Sequence, residues 1–221
     1  MDADTPCLRP AETPARGLPY KYAMPMDPEP LYRLFREAAD LPADEWRHFL
    51  GYVQERHFTP GEHLVREGHD ATMMHYIVRG LVRLYHAGDG VEHVRGFDFE
   101  GRFAAIYECV LTGEPAPWGI QALEPTSTLA FSGEILQHLY DRHPSWDRIG
   151  RRLLEQQWLR SRDKELRFRL YGPEDHYRLL IARNSPLLAR VPLNQIASYL
   201  GIAPETLSRI RARLRSESLP A

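Results

Sequence analysis

Between residues 57 and 131, apolar residues cluster in short runs that are bounded by residues that favour turns. The runs cover residues 63–66, 74–79, 81–86, 93–97, 118–123 and 127–131, and they are rich in Val, Ile, Leu, Tyr and Phe. Pairs such as Pro60-Gly61 and Glu124-Pro125 separate them. Many short strands at close spacing predict an antiparallel β sandwich or barrel for this part of the chain.

Helical spacing precedes and follows this β region. Apolar residues between 29 and 53 predict two short helices, and helical spacing returns from Gly133 to about Leu170 with a break near Pro144. The stretch from Ser145 onward predicts one long helix with an imperfect apolar stripe, formed by Trp146, Ile149, Leu153, Trp158, Leu159 and Leu166. A second copy of the same helix would cover its tryptophans, so we expect a homodimer. The alternative is an ordinary helix that packs on its own barrel.

Two short helices around one glycine follow near the end of the chain. Ile196, Ala197 and Leu200 form the apolar stripe of the first helix, and Leu207, Ile210 and Leu214 form that of the second. Gly201 lies where the chain leaves the first helix, and Pro204 fits the first turn of the second. This pattern predicts a helix-turn-helix, and residues 186–192 are expected to form the connector that leads into it.

The outward stripe of the second helix and the charge of this region point to double-stranded DNA. Glu205, Ser208, Arg209 and Ala212 share that stripe, and a carboxylate, a guanidinium and small residues suit contacts to base edges in a major groove. Residues 1–146 contain 13 Lys and Arg against 22 Asp and Glu, a net charge of −9, whereas residues 147–221 contain 15 against 8, a net charge of +7. Basic charge therefore accompanies the motif and favours phosphate contacts.

The cysteines and the first residues of the sequence indicate the cellular compartment. Cys7 and Cys109 are the two cysteines, too few for a disulfide framework or an iron–sulfur cluster within one chain. No apolar run approaches the roughly 18 residues that span a bilayer, and no secretion signal opens the sequence. We therefore expect a cytoplasmic protein without membrane contact, with a flexible Pro-rich tail over residues 1–28.

The order of parts resembles the Crp/Fnr superfamily of transcription regulators from about Phe58 to Leu214. The runs that carry the similarity are Phe58-Thr-Pro-Gly-Glu, Val65-Arg-Glu-Gly, Tyr76-Ile-Val-Arg-Gly-Leu-Val-Arg-Leu-Tyr, Phe99-Glu-Gly-Arg-Phe and the helix-turn-helix. The resemblance implies an α+β chain. It has a cyclic-nucleotide-binding-like antiparallel β jelly roll as sensory domain over 29–144, a dimerisation helix over 145–171 and a DNA-binding helix-turn-helix domain over 172–221.

The resemblance also assigns roles within that last domain. The base-reading positions fall on Glu205, Ser208 and Arg209, and phosphate contacts are expected at Asn194 and Thr206. The run from Glu205 to Arg209 resembles the Fnr branch, whose half-site is of the TTGAT kind, and Pro204 replaces an arginine that reads a further guanine in another branch. A homodimer on a palindromic promoter site, in contact with RNA polymerase, is implied. Because the sequence stops soon after Leu214, the β-hairpin wing of the family is expected to be truncated.

The sensory half departs from relatives that bind cyclic AMP. Arg102 follows Gly101 where those relatives place a glutamate for the ribose, and residues 115–117 read Pro-Ala-Pro where they carry an Arg-Ser pair for the phosphate. We therefore expect no cyclic AMP in the usual pose; Gly101 and Arg102 remain a candidate effector pocket for another anion. Neither an effector nor a cofactor is identifiable.

The sequence gives little support for a metal site or for an enzymatic function. The histidines at 57, 63, 69 and 75 lack a short ligand spacing, and His86 and His93 flank a hairpin turn without a predicted third ligand, so no metal site is expected. A cupin-like metal enzyme would need a His and carboxylate triad inside the barrel. The protein is therefore expected not to be an enzyme; that enzyme class and a ligand-free interaction module stay as alternatives.

Overall fold

The computed structural model describes residues 26–88 and 90–217, except the side chains of residues 184, 185 and 217. The predicted tail lies almost wholly outside this part, as does Cys7, and the first described helix starts directly after Pro28. The helices are α1 (Glu29–Ala38), α2 (Ala43–Leu50), α3 (Tyr107–Thr112), α4 (Ile135–Arg142), α5 (Pro144–Leu170), α6 (Pro173–Arg190), α7 (Leu193–Leu200) and α8 (Pro204–Glu217).

The strands form two antiparallel sheets. They are β1 (Gln54–Phe58), β2 (His63–Val65), β3 (Met73–Arg79), β4 (Leu81–Gly88), β5 (Val91–Phe99), β6 (Phe103–Ala104), β7 (Gly119–Ala122) and β8 (Thr126–Ser132). One sheet has the order β1-β8-β3-β6 and the other β2-β7-β4-β5. Strands distant in sequence are thus neighbours, as in a jelly roll, and the predicted α+β class is confirmed.

The sequence pattern missed four of these elements, namely β1, β6, α3 and α6. Strand β1 reads Gln-Glu-Arg-His-Phe, which lacks an apolar run, and β6 has only two residues. Both become strands because β8 and β3 supply hydrogen-bonding partners from elsewhere in the chain. Helix α3 lies in a loop and ends at Gly113, whose left-handed φ of 70° stops it.

The expected connector over residues 186–192 is wrong for most of its length. Helix α6 continues through Pro186 to Arg190, although a proline inside a helix removes one backbone hydrogen bond. Leu187 and Leu188 pack against the apolar cluster under the helix-turn-helix, and this burial offsets the lost bond. Between Pro173 and Glu217 the described elements are all helices, and the predicted truncation of the wing concerns residues beyond them.

Two apolar clusters support the β region. The first joins α1, α2, α4 and the start of α5 to the sheet of β3 and β8, with Phe49 1% exposed at its centre. Buried Glu45 anchors it, because it accepts hydrogen bonds from the Arg142 Nε and Trp146 Nε1 atoms at 3.0 Å each. The second cluster fills the space between the two sheets with buried side chains of Val65, Ala71, Ile77, Val82, Ala104, Ile106, Cys109, Ala116 and Ile120.

Only the first turns of helix α5 pack in the first of these clusters. Its first turns are buried at Trp146 and Ile149, whereas Trp158 and Leu159 are each 59% exposed. Packing on the protein's own barrel therefore accounts for the first tryptophan but not for the second. Across the described helices, none combines the length and apolar character of a membrane span.

His75 makes the stability of the sheet depend on pH. Its ring is buried in β3, with Nδ1 3.1 Å from Thr128 Oγ1, and burial lowers its pKa from 6.5 to about 4, helped by Arg56. The unfolded chain takes up this proton as the pH falls through 6.5, but the folded chain does so only near 4. The free energy of unfolding is therefore highest above about pH 6.5, and it falls by roughly 3 kcal/mol as the pH drops from 6.5 to about 4.

Urea unfolding at a series of pH values checks this expectation. The His75→Gln variant should show a flatter decline between about pH 6.5 and pH 4 than the parent chain. His57→Gln, which changes an exposed histidine bonded to Ser127, should keep the parent's slope. Equal slopes for the His75 variant and the parent would contradict the assignment.

Candidate nucleic-acid interface

The turn between α7 and α8 has the backbone geometry that its sequence predicts. Gly201 has φ 68° and ψ 30°, and its N–H caps α7 by donating to the Ala197 and Ser198 carbonyls. The Ile202 N–H donates to the Ala197 carbonyl at 3.0 Å, which closes the end of α7. Pro204 then opens α8, where a missing N–H costs nothing.

Helix α8 has one buried face and one exposed face. Leu207 is 0% and Ile210 8% exposed, and they pack against Ile196, Ala197 and Leu200 of α7. Glu205, Ser208 and Arg209 are all exposed. Because residues at i, i+3 and i+4 share one helix face, the structure brings these three side chains together on the outer surface.

The two residues predicted to contact phosphate lie in the first turns of α7 and α8. Asn194 is exposed in the first turn of α7, where its Oδ1 accepts the Gln195 N–H at 3.0 Å. Thr206 is half-buried, and its hydroxyl accepts a hydrogen bond from Arg209 Nη2 at 3.3 Å. The Arg209 side chain is therefore held beside Thr206 on the exposed face.

Helix α5 presents an apolar groove on the outside of the molecule. Its volume is about 710 Å³, and its lining combines α5 residues with two tyrosines from α3 and α4: Tyr107, Tyr140, Asp147, Gly150, Arg151, Leu154, Glu155, Trp158 and Leu159. Gly150 lets α4 approach closely, since a Cβ there would lie 2.5 Å from the Tyr140 hydroxyl. Leu154 and Trp158 are 43% and 59% exposed at the groove.

The candidate effector residues Gly101 and Arg102 make contacts within the β region itself. Gly101 has φ 78°, and its N–H donates to the Ile77 carbonyl at 3.0 Å. The Arg102 guanidinium lies 4.1 Å from the Phe99 ring centroid and 3.6 Å from Asp98 Oδ1. Burial raises the pKa of Asp98, and the neighbouring Arg102 opposes that rise. Arg102 thus packs on Phe99 and already has a carboxyl partner in Asp98.

The histidines occupy separate environments. His57 bonds Ser127, His63 bonds the Tyr85 hydroxyl, and His86 lies opposite His93 across the hairpin, as predicted. A carboxylate that the sequence did not reveal lies beside this pair, because Glu67 Oε1 is 2.7 Å from His86 Nδ1. No group of three or more His, Cys, Asp or Glu in the described part of the chain is arranged to hold a metal ion.

A family comparison identifies the β region. Residues 55–143 match the model of the cyclic nucleotide-binding domain. This part of the chain is therefore similar to cyclic nucleotide-binding domains. A comparison with curated proteins finds no match.

Solved structures extend the likeness beyond this domain. CLP from Xanthomonas campestris, a c-di-GMP responsive global regulator, has a TM-score of 0.60 at 20% identity, over 80% of this chain and 94% of CLP. FixK2 from Bradyrhizobium japonicum has a TM-score of 0.63 at 20% identity, over 75% and 85%. DNR from Pseudomonas aeruginosa has a TM-score of 0.52 at 22% identity, over 89% and 91%. The chain shares its fold with these structures, and this agrees with the fold that the predicted resemblance implies.

Within the region that matches the cyclic nucleotide-binding domain, residues 115–117 are hydrogen-bonded to a neighbouring turn. Ala116 is 2% exposed; its N–H donates to the His69 carbonyl at 2.9 Å and its carbonyl accepts the Gly68 N–H at 2.8 Å. The Arg95 guanidinium carbon lies over the nearby Trp118 ring, 3.8 Å from the ring centroid. The Pro-Ala-Pro stretch is therefore packed against the turn at residues 68–69.

Sequence reasoning missed the residues that join the helix-turn-helix to the β region. Arg190 pairs with Glu100 and Glu124, and Arg83 bonds Gln195 of α7. These partners are separated by 66 to 112 positions along the chain. No local pattern reveals such pairs, because each side chain reads as an ordinary polar residue in its own segment.

Proposed function

We propose that this protein is a homodimeric transcription regulator that binds a palindromic DNA site through α8. One observation carries the proposal: Glu205, Ser208 and Arg209 are exposed together, while Leu207 and Ile210 anchor the opposite face of the same helix. In this proposal residues 29–144 form the sensory domain, 145–171 the dimerisation helix and 172–221 the DNA-binding domain. Such a role places the protein in the cytoplasm, in contact with RNA polymerase.

The exposed face of α8 offers chemistry suited to a G·C base pair. Arg209 can donate two hydrogen bonds to guanine O6 and N7, and Glu205 can accept from a cytosine N4 amine. Ser208 is small enough to let the helix approach the bases. In this proposal Asn194 and Thr206, in the first turns of α7 and α8, contact phosphates and set the register of the helix on the duplex.

A second copy of the chain is the partner that fits the α5 groove. Trp158 and Leu159 are each 59% exposed, and aromatic residues at such positions are characteristic of interface centres. Pairing of α5 with its symmetry mate would give a two-fold axis and two copies of α8. Two such helices must lie about 34 Å apart to enter successive major grooves.

Cyclic AMP in the usual pose does not fit the sensory domain. Apolar side chains fill the space between its sheets, and Arg102 is paired with Asp98. Residues 115–117 carry no guanidinium for a cyclic phosphate. We infer that any control of DNA binding uses another effector or none.

Selection from a random-sequence duplex pool tests the proposed function. The purified chain should recover a palindrome whose half-sites contain a G·C pair, and binding should weaken as salt rises, because phosphate contacts release counterions. Recovery of no preferred sequence would contradict the proposal. DNA binding without a two-fold repeat in the recovered sequences would contradict the dimer.

The Arg209→Ala variant tests the reading of bases. It should cost about 1–3 kcal/mol on the selected site and relax the preference at one base position per half-site. Asn194→Ala should instead weaken binding to all sequences alike. Arg56→Ala removes an exposed arginine from β1, far from α8 in the sequence, and serves as the matched control. Uniform weakening by Arg209→Ala would contradict its assignment to a base.

A further inference from the structure

The helix-turn-helix has no closed apolar core of its own. Its buried residues form one cluster with β4 and β5, in which Leu81 is 0% exposed and Phe97 and Phe99 pack against the helices. The ring centroids of Phe97 and Tyr199 of α7 are 5.7 Å apart. The outer face of this sheet therefore completes the hydrophobic core of the DNA-binding part, and the two parts share one interface.

Arg190 joins the end of α6 to two separate turns of the β region. Its Nη1 and Nη2 donate to Glu100 at 3.0 and 2.8 Å, and its Nε and Nη2 donate to Glu124 at 3.2 and 2.5 Å. Glu100 also accepts the Gly80 N–H at 2.8 Å. The guanidinium fork thus fixes direction as well as distance, which a single exposed ion pair does not do.

The ionised state of Glu100 is secured by these contacts. Burial by itself would raise the pKa of Glu100, but the hydrogen bonds from Arg190 and from the Gly80 N–H outweigh it and lower the pKa. The carboxylate therefore stays charged well below neutral pH. The three side chains keep between 31% and 39% exposure, so solvent reaches them.

A second polar contact fixes α7. The Arg83 side chain is 7% exposed and donates to Gln121 Oε1 at 2.8 Å, to Gln195 Oε1 at 2.9 Å and to Glu92 Oε2 at 2.5 Å. Ser198 of α7 accepts the Val94 N–H at 3.0 Å. Gln195 adjoins Asn194, so this contact also sets the position of a candidate phosphate ligand.

These contacts leave the DNA-facing surface free. Glu205, Ser208 and Arg209 are exposed while α6 and α7 are held on the sheet. An interface that buried these residues would block DNA, whereas this one only fixes where α8 lies relative to α5. Its effect is therefore on the geometry between two copies of α8 in a dimer.

We propose that the clamp formed by Arg190, Glu100 and Glu124 is a positioning device that sets the spacing between half-sites the dimer accepts. This inference rests on the proposed function. Arg190 does not contact bases in this scheme; it acts through the orientation of α8. If α8 is held rigidly on the β region, the affinity for the second half-site depends steeply on the spacing between half-sites. If α8 is held loosely, the affinity varies less with that spacing.

The test compares a clamp variant with a matched control on duplexes of graded spacing. The Glu100→Gln/Glu124→Gln variant removes both charges at nearly constant size, and Glu114→Gln/Glu134→Gln removes two charges from exposed positions elsewhere. The probes are the palindrome selected by the parent chain, versions with one to three base pairs added or removed between half-sites, and a single half-site. Protection of the Val94 amide from hydrogen exchange reports on the docking of α7.

The parent and the control should lose about tenfold or more in affinity when the spacing changes. The clamp variant should bind the best palindrome about tenfold more weakly, vary by less than about threefold across spacings, and keep its half-site affinity. Val94 protection should fall in that variant.

Three results would count against the inference. An unchanged spacing profile in the clamp variant overturns it and leaves the proposed function standing. Equal loss on every duplex, the half-site included, also overturns it, because the clamp would then act on the fold of α8. Failure of the parent to select any sequence removes the proposed function and this inference together.

Discussion

The Trp158→Glu variant should be a monomer at concentrations where the parent chain is a dimer. Trp158 is 59% exposed and lines the groove on α5, so the proposed interface would bury a large apolar ring. A tryptophan at the centre of an interface contributes about 2–4 kcal/mol when truncated, and a buried unpaired carboxylate adds to that loss. We therefore expect the dimer dissociation constant to rise by about 30-fold to 1,000-fold.

Sedimentation equilibrium measures this change, and Val91→Glu is its control. Val91 is 56% exposed on β5, outside α5, so its replacement puts the same charge on an equally exposed apolar position. The control should remain a dimer. Binding to the selected palindrome should weaken in the Trp158 variant, because both half-sites no longer belong to one particle. A parent chain that is monomeric, or a Trp158 variant that stays dimeric, would contradict the proposed interface.

The Gly80→Ala variant should lose about 2–5 kcal/mol of stability, the largest expected effect of a single methyl group in this chain. Gly80 has φ 114°, and a Cβ at this position would lie 2.4 Å from Thr126 Oγ1 and 2.6 Å from Thr126 Cα. The second atom belongs to the backbone of β8 and cannot rotate away. Since Gly80 N–H also donates to Glu100, the substitution should disturb the clamp as well.

Urea unfolding of Gly80→Ala and Gly113→Ala separates crowding from backbone strain. Gly113 also has a positive φ, 70°, but a Cβ there meets nothing within 4 Å. Its alanine variant should therefore lose only about 1 kcal/mol. Equal losses for the two variants would mean that the contact with Thr126 relaxes and that strain alone sets the effect.

The elements that the sequence predicted well are those whose own pattern decides them. Strands β3, β4 and β8 carry apolar runs between turn residues, and α7 and α8 carry apolar stripes on either side of Gly201. Period and turn chemistry are local properties, so a single sequence suffices for them. The same holds for the exposed stripe of α8, although the roles of Glu205, Ser208 and Arg209 in binding DNA stay predictions.

Contacts between segments that are distant in the sequence decided the remaining elements and the contacts of Arg190. Strands β1 and β6 exist because β8 and β3 offer them hydrogen bonds, and α6 passes Pro186 because Leu187 and Leu188 find a buried surface. The sequence by itself determined the apolar strands β3, β4 and β8, and the two helices and the turn of the helix-turn-helix. Only the tertiary structure decided that Arg190 meets both Glu100 and Glu124, because that meeting depends on how the end of α6 and two turns of the β region come together in space.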